Sequence, residues 1–160
     1  MTFDSDLAAL LPRLRRFAHS LSRNSADADD LTQATVERAL RARAQWQAGT
    51  RLDSWLYRIM RNLWIDTARA ASRRQKVEAP EEEADRQAVA QTDGPEMAVE
   101  LSRMMAAMER LPDEQREVVA LILVEGFGYR ETAEMLDLPI GTVSSRLVRG
   151  RTALLGMVGA

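Results

Sequence analysis

Apolar residues recur at spacings of three and four along the first part of the chain, the period of one face of an α-helix. The first stripe consists of Leu7, Leu10, Leu11, Leu14, Phe17, Ala18 and Leu21. The stretch SRNSADADD then interrupts the stripe, and we expect Asp27 or Asp29 to cap the next helix by accepting its free amides. No segment shows a convincing period of two, so the pattern predicts an all-α protein.

Two more helices are predicted before residue 76. The second covers LTQATVERALRARAQW, and its expected inward residues are Leu31, Ala34, Thr35, Ala39 and Leu40. The segment QAGTRLD predicts a loop with Gly49 as its hinge. The third helix is expected from about Ser54 to Arg73, with Trp55, Leu56, Ile59, Leu63 and Ile65 on or near its apolar face.

The helical period returns after residue 96. A fourth helix is marked by Met97, Leu101, Met104, Met105, Met108 and Leu111. Pro112 should end it, because proline disfavours helix in the residue before it. The fifth helix, from Asp113 to about Glu125, is expected to bury Val118, Val119, Leu121 and Ile122. A short helix from Tyr129 to Leu136, the turn DLP and a last helix from about Ile140 to Gly156 follow.

Charge divides the chain into three parts. Residues 1–76 hold 14 Lys and Arg against 8 Asp and Glu, residues 77–100 hold 1 against 8, and residues 101–160 hold 7 against 8. The acidic part is poor in large apolar residues and contains prolines, which predicts a flexible linker. We therefore expect two small helical domains, at 1–76 and 97–160, joined by an acidic linker at 77–96.

Composition narrows the class of protein. Hydrophobic residues make up 46% and charged residues 29% of the 160 residues, a globular balance. The absence of cysteine excludes disulfides, thiolate zinc sites and cysteine nucleophiles. No apolar run approaches the roughly 20 residues that cross a bilayer, and the N-terminal charges run opposite to those of a secretory signal. These features predict a cytoplasmic protein without membrane insertion.

No catalytic constellation is visible in the sequence. The single histidine, His19, lies in an amphipathic stripe and is expected at the surface or the core boundary. Asp27, Asp29 and Asp30 are better explained as residues of a helix start than as metal ligands, because helix N-termini favour acidic groups. No glycine-rich phosphate loop is present. We expect neither enzymatic activity nor a cofactor or metal.

The last two predicted helices form a helix-turn-helix, whose second helix enters the major groove of DNA. Five apolar residues are expected to hold the two helices together: Ala133, Leu136, Leu138, Val143 and Leu147. The residues left for a partner are Thr142, Ser144, Ser145, Val148, Arg149 and Arg151. The alternative is a packing hairpin with solvated arginines.

A second candidate site lies where Trp46, Trp55 and Trp64 occur among Tyr57 and several arginines. Aromatic residues next to basic ones can bind the unstacked bases of single-stranded DNA. Alternatively, the aromatic residues belong to the core and the basic residues form the solvated face beside it. Composition favours a core position for Trp55 and Trp64 and does not decide between the two roles for Trp46.

Three segments together resemble the extracytoplasmic-function (ECF) sigma factors, bacterial transcription initiation factors. They are DADDLTQATVERAL, RLDSWLYRIMRNLWID and LPDEQREVVALILVEGFGYRETAEMLDLPIGTVSSRLVRGR. The variant GTRLDSW…RIMRNLWID is similar to the alphaproteobacterial general-stress subgroup. The resemblance implies a sigma region 2 helical bundle and a sigma region 4 helix-turn-helix. It also implies promoter DNA, the β′ clamp helices and β flap of core RNA polymerase, and an anti-sigma factor as partners.

Residue roles follow from matching positions in this family. Contact with core polymerase is implied for Asp30, Leu31, Gln33, Arg38 and Arg41. Capture of a flipped base and binding of the opened −10 element are implied for Trp46, Gly49, Thr50, Arg51, Asp53, Trp55, Arg58, Arg61, Asn62 and Arg69. Reading of the −35 duplex is implied for Tyr129, Arg130, Thr142, Ser144, Ser145, Arg146, Val148, Arg149 and Arg151. Ser144 departs from the family, which usually has lysine or arginine after GTV.

Two alternatives remain open at this point. A stand-alone helix-turn-helix regulator would explain the C-terminal half and would bind DNA without polymerase, usually as a dimer. A sigma-like decoy would keep the fold, bind an anti-sigma factor and lack the DNA-facing residues. The presence of Trp55, Asn62, Arg149 and Arg151 argues against the decoy.

Overall fold

The computed structural model describes residues 2–75 and 95–158, and every regular element within these ranges is helical. The helices are α1 (Phe3–Ser22), α2 (Ser25–Arg41), α3 (Leu52–Gln75), α4 (Pro95–Glu109), α5 (Asp113–Val119), α6 (Tyr129–Leu136) and α7 (Ile140–Val158). A 3-10 turn occupies Arg43–Gln45, and a π turn at Ala120–Val124 continues α5. The all-α prediction is confirmed. Apart from its last two residues, which begin α4, the predicted linker lies outside the described residues.

The chain divides into two compact units, Met1–Arg86 and Gln87–Ala160. In the first unit, α1, α2 and α3 pack against one another as a three-helix bundle. Phe17 and Tyr57 stack in its centre with ring centroids 4.8 Å apart, and Leu14, Leu56 and Met60 are fully buried around them. The bundle thus fixes α2 and the start of α3, the elements that carry the first unit's candidate residues.

The boundary between α1 and α2 corrects the predicted cap. The side chain of Asn24 accepts a hydrogen bond from the Asp27 backbone N–H at 2.8 Å, so α2 begins at Ser25. Asp27 lies inside the first turn, where its carboxylate accepts a bond from the Asn24 amide at 2.7 Å. The expectation that Asp27 or Asp29 caps the helix is wrong, because an earlier residue already satisfies the free amide.

Burial follows the predicted stripes with some exceptions. Leu40 was expected inward but lies in the last turn of α2 with 36% of its surface exposed. Ile59, Leu63, Ile65 and Ile122 are half-buried, and Met104 is exposed. Met60, which the pattern did not single out, is fully buried. His19 lies at the core boundary as expected.

In the second unit, α7 packs against α4, α5 and α6. At Gly150 of α7, an added Cβ would lie 2.7 Å from Val119 Cγ2 and 3.3 Å from Gln115 Cβ. The absence of a side chain at Gly150 therefore allows α5 and α7 to come together. The π turn follows Val119 directly, and its Glu125 N–H donates to the Ala120 carbonyl five residues earlier at 2.8 Å.

Candidate polymerase and nucleic-acid interfaces

The helix-turn-helix is formed by α6, the residues Asp137–Pro139 and α7. Asp137 ends α6 in the left-handed conformation with φ +56°, and the Leu138 N–H donates back to the Ala133 carbonyl at 3.0 Å. Of the five predicted packing residues, Ala133, Leu136, Val143 and Leu147 are buried, and Leu138 is half-buried. The predicted packing of these two helices is confirmed.

The outer face of α7 is open to a partner. Val148 is 60% exposed, and Ser145, Arg149 and Arg151 are exposed around it, while Thr142 and Ser144 are half-buried. Tyr129 and Arg130 are exposed at the start of α6. This face combines cationic, hydroxyl and methyl groups on one accessible helix.

Arg146 differs from its neighbours on α7. Its side chain is only 26% exposed, and Nη2 lies 3.9 Å from Glu114 Oε2 on α5. The Arg146 guanidinium therefore lies towards α5, next to a carboxylate.

The predicted polymerase-contact residues lie on α2. Asp30, Gln33, Arg38 and Arg41 are exposed. Leu31 is 5% exposed and packs inside the bundle, and its assignment to the contact surface stays a prediction. An open groove of about 470 Å³ runs between α1 and α2, lined by Leu11, Arg15, Asp29, Thr32, Gln33 and Val36.

The predicted base-capturing loop runs from Gln45 to Asp53. Its residues between the 3-10 turn and α3 are Trp46 to Arg51, and we call these six residues the capture loop. Gly49 has φ +92°, a conformation that favours glycine. The Thr50 hydroxyl donates to the Gln47 carbonyl at 2.6 Å, and the Thr50 N–H donates to the same oxygen at 3.2 Å. Trp46 is half-buried, and its ring centroid lies 5.7 Å from that of Phe3. The loop is therefore a tight turn with its first residue packed on α1.

Asp53 follows the capture loop in the first turn of α3. Its carboxylate accepts bonds from Arg51 Nη2 at 2.9 Å, Arg13 Nη1 at 3.3 Å and the Ser54 N–H at 2.8 Å. Burial raises the pKa of this carboxyl, but the Arg51 and Ser54 hydrogen bonds and the charges of Arg51 and Arg13 outweigh it, so the pKa lies below its ordinary value. With 11% of its side chain exposed, Asp53 holds the Arg51, Arg13 and Ser54 groups in place, and its assignment as a DNA contact stays a prediction.

The remaining candidates of the first unit lie on α3. Trp55, Arg58, Asn62 and Arg69 are separated by three, four and seven residues, which places them along one helix face. Arg58, Asn62 and Arg69 are exposed, whereas Trp55, Arg61 and Trp64 are half-buried. Trp55 and Trp64 are thus each partly exposed to solvent and partly packed against the protein.

Phe3 and Arg13 contact this site, but the sequence did not single them out. Phe3 precedes Leu7 by four residues and so extends the first apolar stripe, a signal that could have found it. Arg13 carries no comparable signal, because its partner Asp53 is 40 residues away in the sequence.

No helix in the ranges 2–75 and 95–158 combines the length and the apolar character needed to span a bilayer.

Comparison with known proteins assigns both units to characterised families. Residues 7–74 match Sigma-70 region 2, and residues 101–154 match Sigma-70 region 4. The chain is 37% identical over 153 residues to the ECF RNA polymerase sigma factor EcfG of Rhodopseudomonas palustris, covering 96% of this chain and 83% of that protein. It is 40% identical to the ECF sigma factor SigE of Mycolicibacterium smegmatis over 89% of this chain and 56% of SigE.

Solved structures show the same likeness. The sigma factor RpoE, in its complex with the anti-sigma factor NepR from Bartonella quintana, matches with a TM-score of 0.87 and 31% identity. That match covers 99% of this chain and 97% of RpoE. CnrH, in complex with the cytosolic domain of CnrY, matches with a TM-score of 0.69 and 24% identity over 98% of this chain and 87% of that one, a likeness of fold.

Proposed function

Because the chain belongs to the ECF sigma factors, alternative sigma factors that direct transcription initiation by bacterial RNA polymerase, we propose that its two units divide a promoter between them. The second unit reads the −35 element as duplex, and the first unit holds the opened −10 element. The exposed outer face of α7, with Val148 and Arg149 accessible beside Ser145, is the observation that carries this proposal.

The −35 contact is argued from the chemistry of that face. Arginine can bind guanine with two hydrogen bonds, serine and threonine can reach bases or phosphates, and valine can pack on a thymine methyl group. Arg149 and Arg151 supply the accessible cations, and Tyr129 and Arg130 lie at the start of α6, where the first helix of such a motif crosses the backbone. Ser144 lacks a cation, so Arg149 carries more of the electrostatic attraction than in relatives with a basic residue there.

The −10 contact is argued from the capture loop and α3. Unstacked bases bind aromatic faces, and their backbone follows cationic groups. The loop presents Thr50 and Arg51 at the surface, while α3 places Trp55, Arg58 and Asn62 along one face, with Arg69 further along it. We propose that a flipped base enters at the loop and that the neighbouring strand follows α3.

Contact with core polymerase is proposed for the exposed surface of α2, formed by Asp30, Gln33, Arg38 and Arg41. The β′ clamp helices are the expected partner there, and the β flap is the expected partner of the second unit. We propose domain limits at 1–76 and 97–160 with a linker at 77–96; the division of the chain into two compact units, Met1–Arg86 and Gln87–Ala160, supports two domains. Action on polymerase also implies a cytoplasmic location and no enzymatic activity of the protein's own.

The general-stress subgroup and an anti-sigma partner are also proposed. The subgroup is supported by the variant GTRLDSW…RIMRNLWID, and the anti-sigma partner by the 31% identity to RpoE, a sigma factor solved with the anti-sigma factor NepR. Co-purification with a NepR-like protein encoded in the same genome would support this assignment, and failure of the two purified proteins to associate would remove it.

The central experiment is run-off transcription from a genomic promoter library with purified core polymerase and the full-length protein. We expect transcripts that depend on the protein, and co-elution of the protein with core. The variant Arg149→Ala should lose −35-dependent transcription but keep co-elution. Arg103→Ala, which removes an exposed arginine on α4, is the matched control and should change neither.

Two outcomes would contradict the proposal. Absence of both transcript and co-elution would remove the sigma activity. Tight, dimeric binding to duplex DNA without core would instead support the stand-alone regulator.

A further inference from the structure

Helix α1 contacts residues at both ends of the capture loop: Trp46 where the loop begins, and Asp53 just after it ends. We propose that α1 is a brace for this loop and that Phe3 and Arg13 are positioning residues for base capture. The inference rests on the proposed −10 function, and it concerns residues that do not themselves belong to the DNA-facing set.

The first contact is aromatic and lies where the loop begins. The Phe3 ring is 5.7 Å from the Trp46 ring and 6.1 Å from the Trp55 ring, in tilted and edge-on arrangements. Such geometries are attractive between aromatic side chains. The guanidinium of Arg43 lies 5.9 Å from the Phe3 ring centroid, and its Nη1 is 3.3 Å from Asp4 Oδ1. Phe3 therefore joins the start of the loop to α3.

The second contact is ionic and lies where the loop ends. Arg13 Nη1 is 3.3 Å from Asp53 Oδ2, and the same carboxylate binds Arg51, the last residue of the loop. Arg13 lies ten positions after Phe3, about 15 Å along the helix axis. One helix thus contacts both points that the loop connects.

The capture loop combines this external support with hydrogen bonds of its own. The Thr50 hydroxyl and N–H both donate to the Gln47 carbonyl, while Gly49 adds backbone freedom. The Trp46 indole N–H is buried with no acceptor among the described residues. A buried donor without a partner disfavours the packed position of Trp46, so the contacts with Phe3 must offset that loss.

A braced loop presents a formed pocket, whereas a mobile loop must be ordered by the incoming base. Ordering on binding reduces affinity. Loss of the brace should therefore weaken binding of the captured base specifically. Contacts made elsewhere, by α2 with polymerase and by α7 with duplex DNA, should not change.

The test uses holoenzyme assembled from core polymerase and the full-length protein. The probe is a single-stranded oligonucleotide with the non-template −10 sequence of a promoter found by run-off transcription. A second probe carries an abasic site at the position of the flipped base. The ratio of the two affinities measures base capture alone.

We expect Phe3→Ala to lower the affinity for the intact probe roughly two- to tenfold, the range of one aromatic contact, and to leave the abasic probe unchanged. Arg13→Gln should lower the same ratio by less, because its ion pair is partly exposed. Leu21→Ala is the control for general destabilisation, since Leu21 is buried at the far end of α1. Its ratio should equal that of the unmodified protein, because the folded fraction lowers both affinities equally and cancels in the ratio.

The outcomes separate this inference from the proposed function. If the unmodified holoenzyme binds intact and abasic probes equally, base capture itself is absent and the proposed −10 role fails. If the unmodified protein discriminates and Phe3→Ala discriminates equally well, the brace is overturned. A ratio that falls as far in Leu21→Ala as in Phe3→Ala also overturns it, because general loosening of the bundle then explains the effect.

Discussion

Gly150→Ala tests whether close packing of α5 against α7 sets the position of the recognition helix. The added methyl group would lie 2.7 Å from Val119 Cγ2, about 1 Å inside the normal separation of two carbon atoms. Val119 is 1% exposed, and a valine in a helix has one strongly preferred rotamer. Its side chain therefore cannot turn aside, and the two helices must move apart.

Two opposing effects decide how much Gly150→Ala changes the free energy of unfolding. Alanine is favoured over glycine inside a helix by about 1 kcal/mol, whereas forcing an extra methyl group into a packed core costs about 1–3 kcal/mol. The balance predicts a net loss of about 1 kcal/mol in the free energy of unfolding. For a unit of this size, such a loss lowers the melting temperature by roughly 4–8 °C.

The assay is urea and thermal unfolding of the full chain, followed by helical circular dichroism. Gly156→Ala is the matched control, because it lies in the same helix and an added Cβ there meets nothing within 4 Å. That variant should be at least as stable as the unmodified protein. Binding of −35 duplex by holoenzyme should fall for Gly150→Ala by more than its unfolded fraction explains. Equal or greater stability of Gly150→Ala, with normal duplex binding, would refute the argument.

Three further predictions follow from single residues. Asp53 has a lowered pKa, so its contribution to stability is present above the unfolded-state value of 3.8 and is lost as the pH falls through the still lower folded value. Urea titrations should show the stability gap between the unmodified protein and Asp53→Asn constant near neutral pH and shrinking below about pH 4, and a gap independent of pH would contradict this. Ser144→Arg should strengthen −35 binding and steepen the dependence of log affinity on log salt by about one unit, the value for one added phosphate contact; an unchanged slope would show that residue 144 does not reach the backbone. Arg23 ends α1 with φ +69°, so Arg23→Gly should raise the free energy of unfolding by up to about 1 kcal/mol, and a loss of stability would show that the arginine side chain contributes more than its strained backbone costs.

Most helix positions in this protein can be predicted from the local pattern of the sequence. The short helix Tyr129–Leu136, its turn and the start of α7 at Ile140 were predicted at the residues observed. Apolar spacing, proline and cap-type residues act over a few positions, so one sequence suffices to locate them. The buried interface between α6 and α7 followed from the same spacing.

The tertiary contacts could be identified only from the structure, not from the sequence. Leu40 continues the apolar stripe of α2 but extends past the part of the helix that its neighbours cover, so it is exposed. Asp53 was assigned to DNA from its position in a family motif, yet its carboxylate is held by two arginines. Phe3 reaches Trp46 across more than 40 positions of sequence, and hydropathy carries no information on which distant side chains meet.

The π turn at Ala120–Val124 lets α5 hold one residue more than a regular α-helix would between Val119 and α6. A π turn holds one residue more than an α-helical turn, and each residue of an α-helix advances the chain by about 100° around the axis. Deletion of the exposed Leu123 would leave a regular, fully hydrogen-bonded helix there. Because the α-helical turn completes nearly the same rotation with one residue fewer, the buried Phe127 would keep its direction towards the core, and both helices of the DNA-reading motif would keep their orientation. The extra residue of the π turn can therefore be removed with little effect on the elements that follow, whereas the same deletion inside a regular helix would turn them by about 100°.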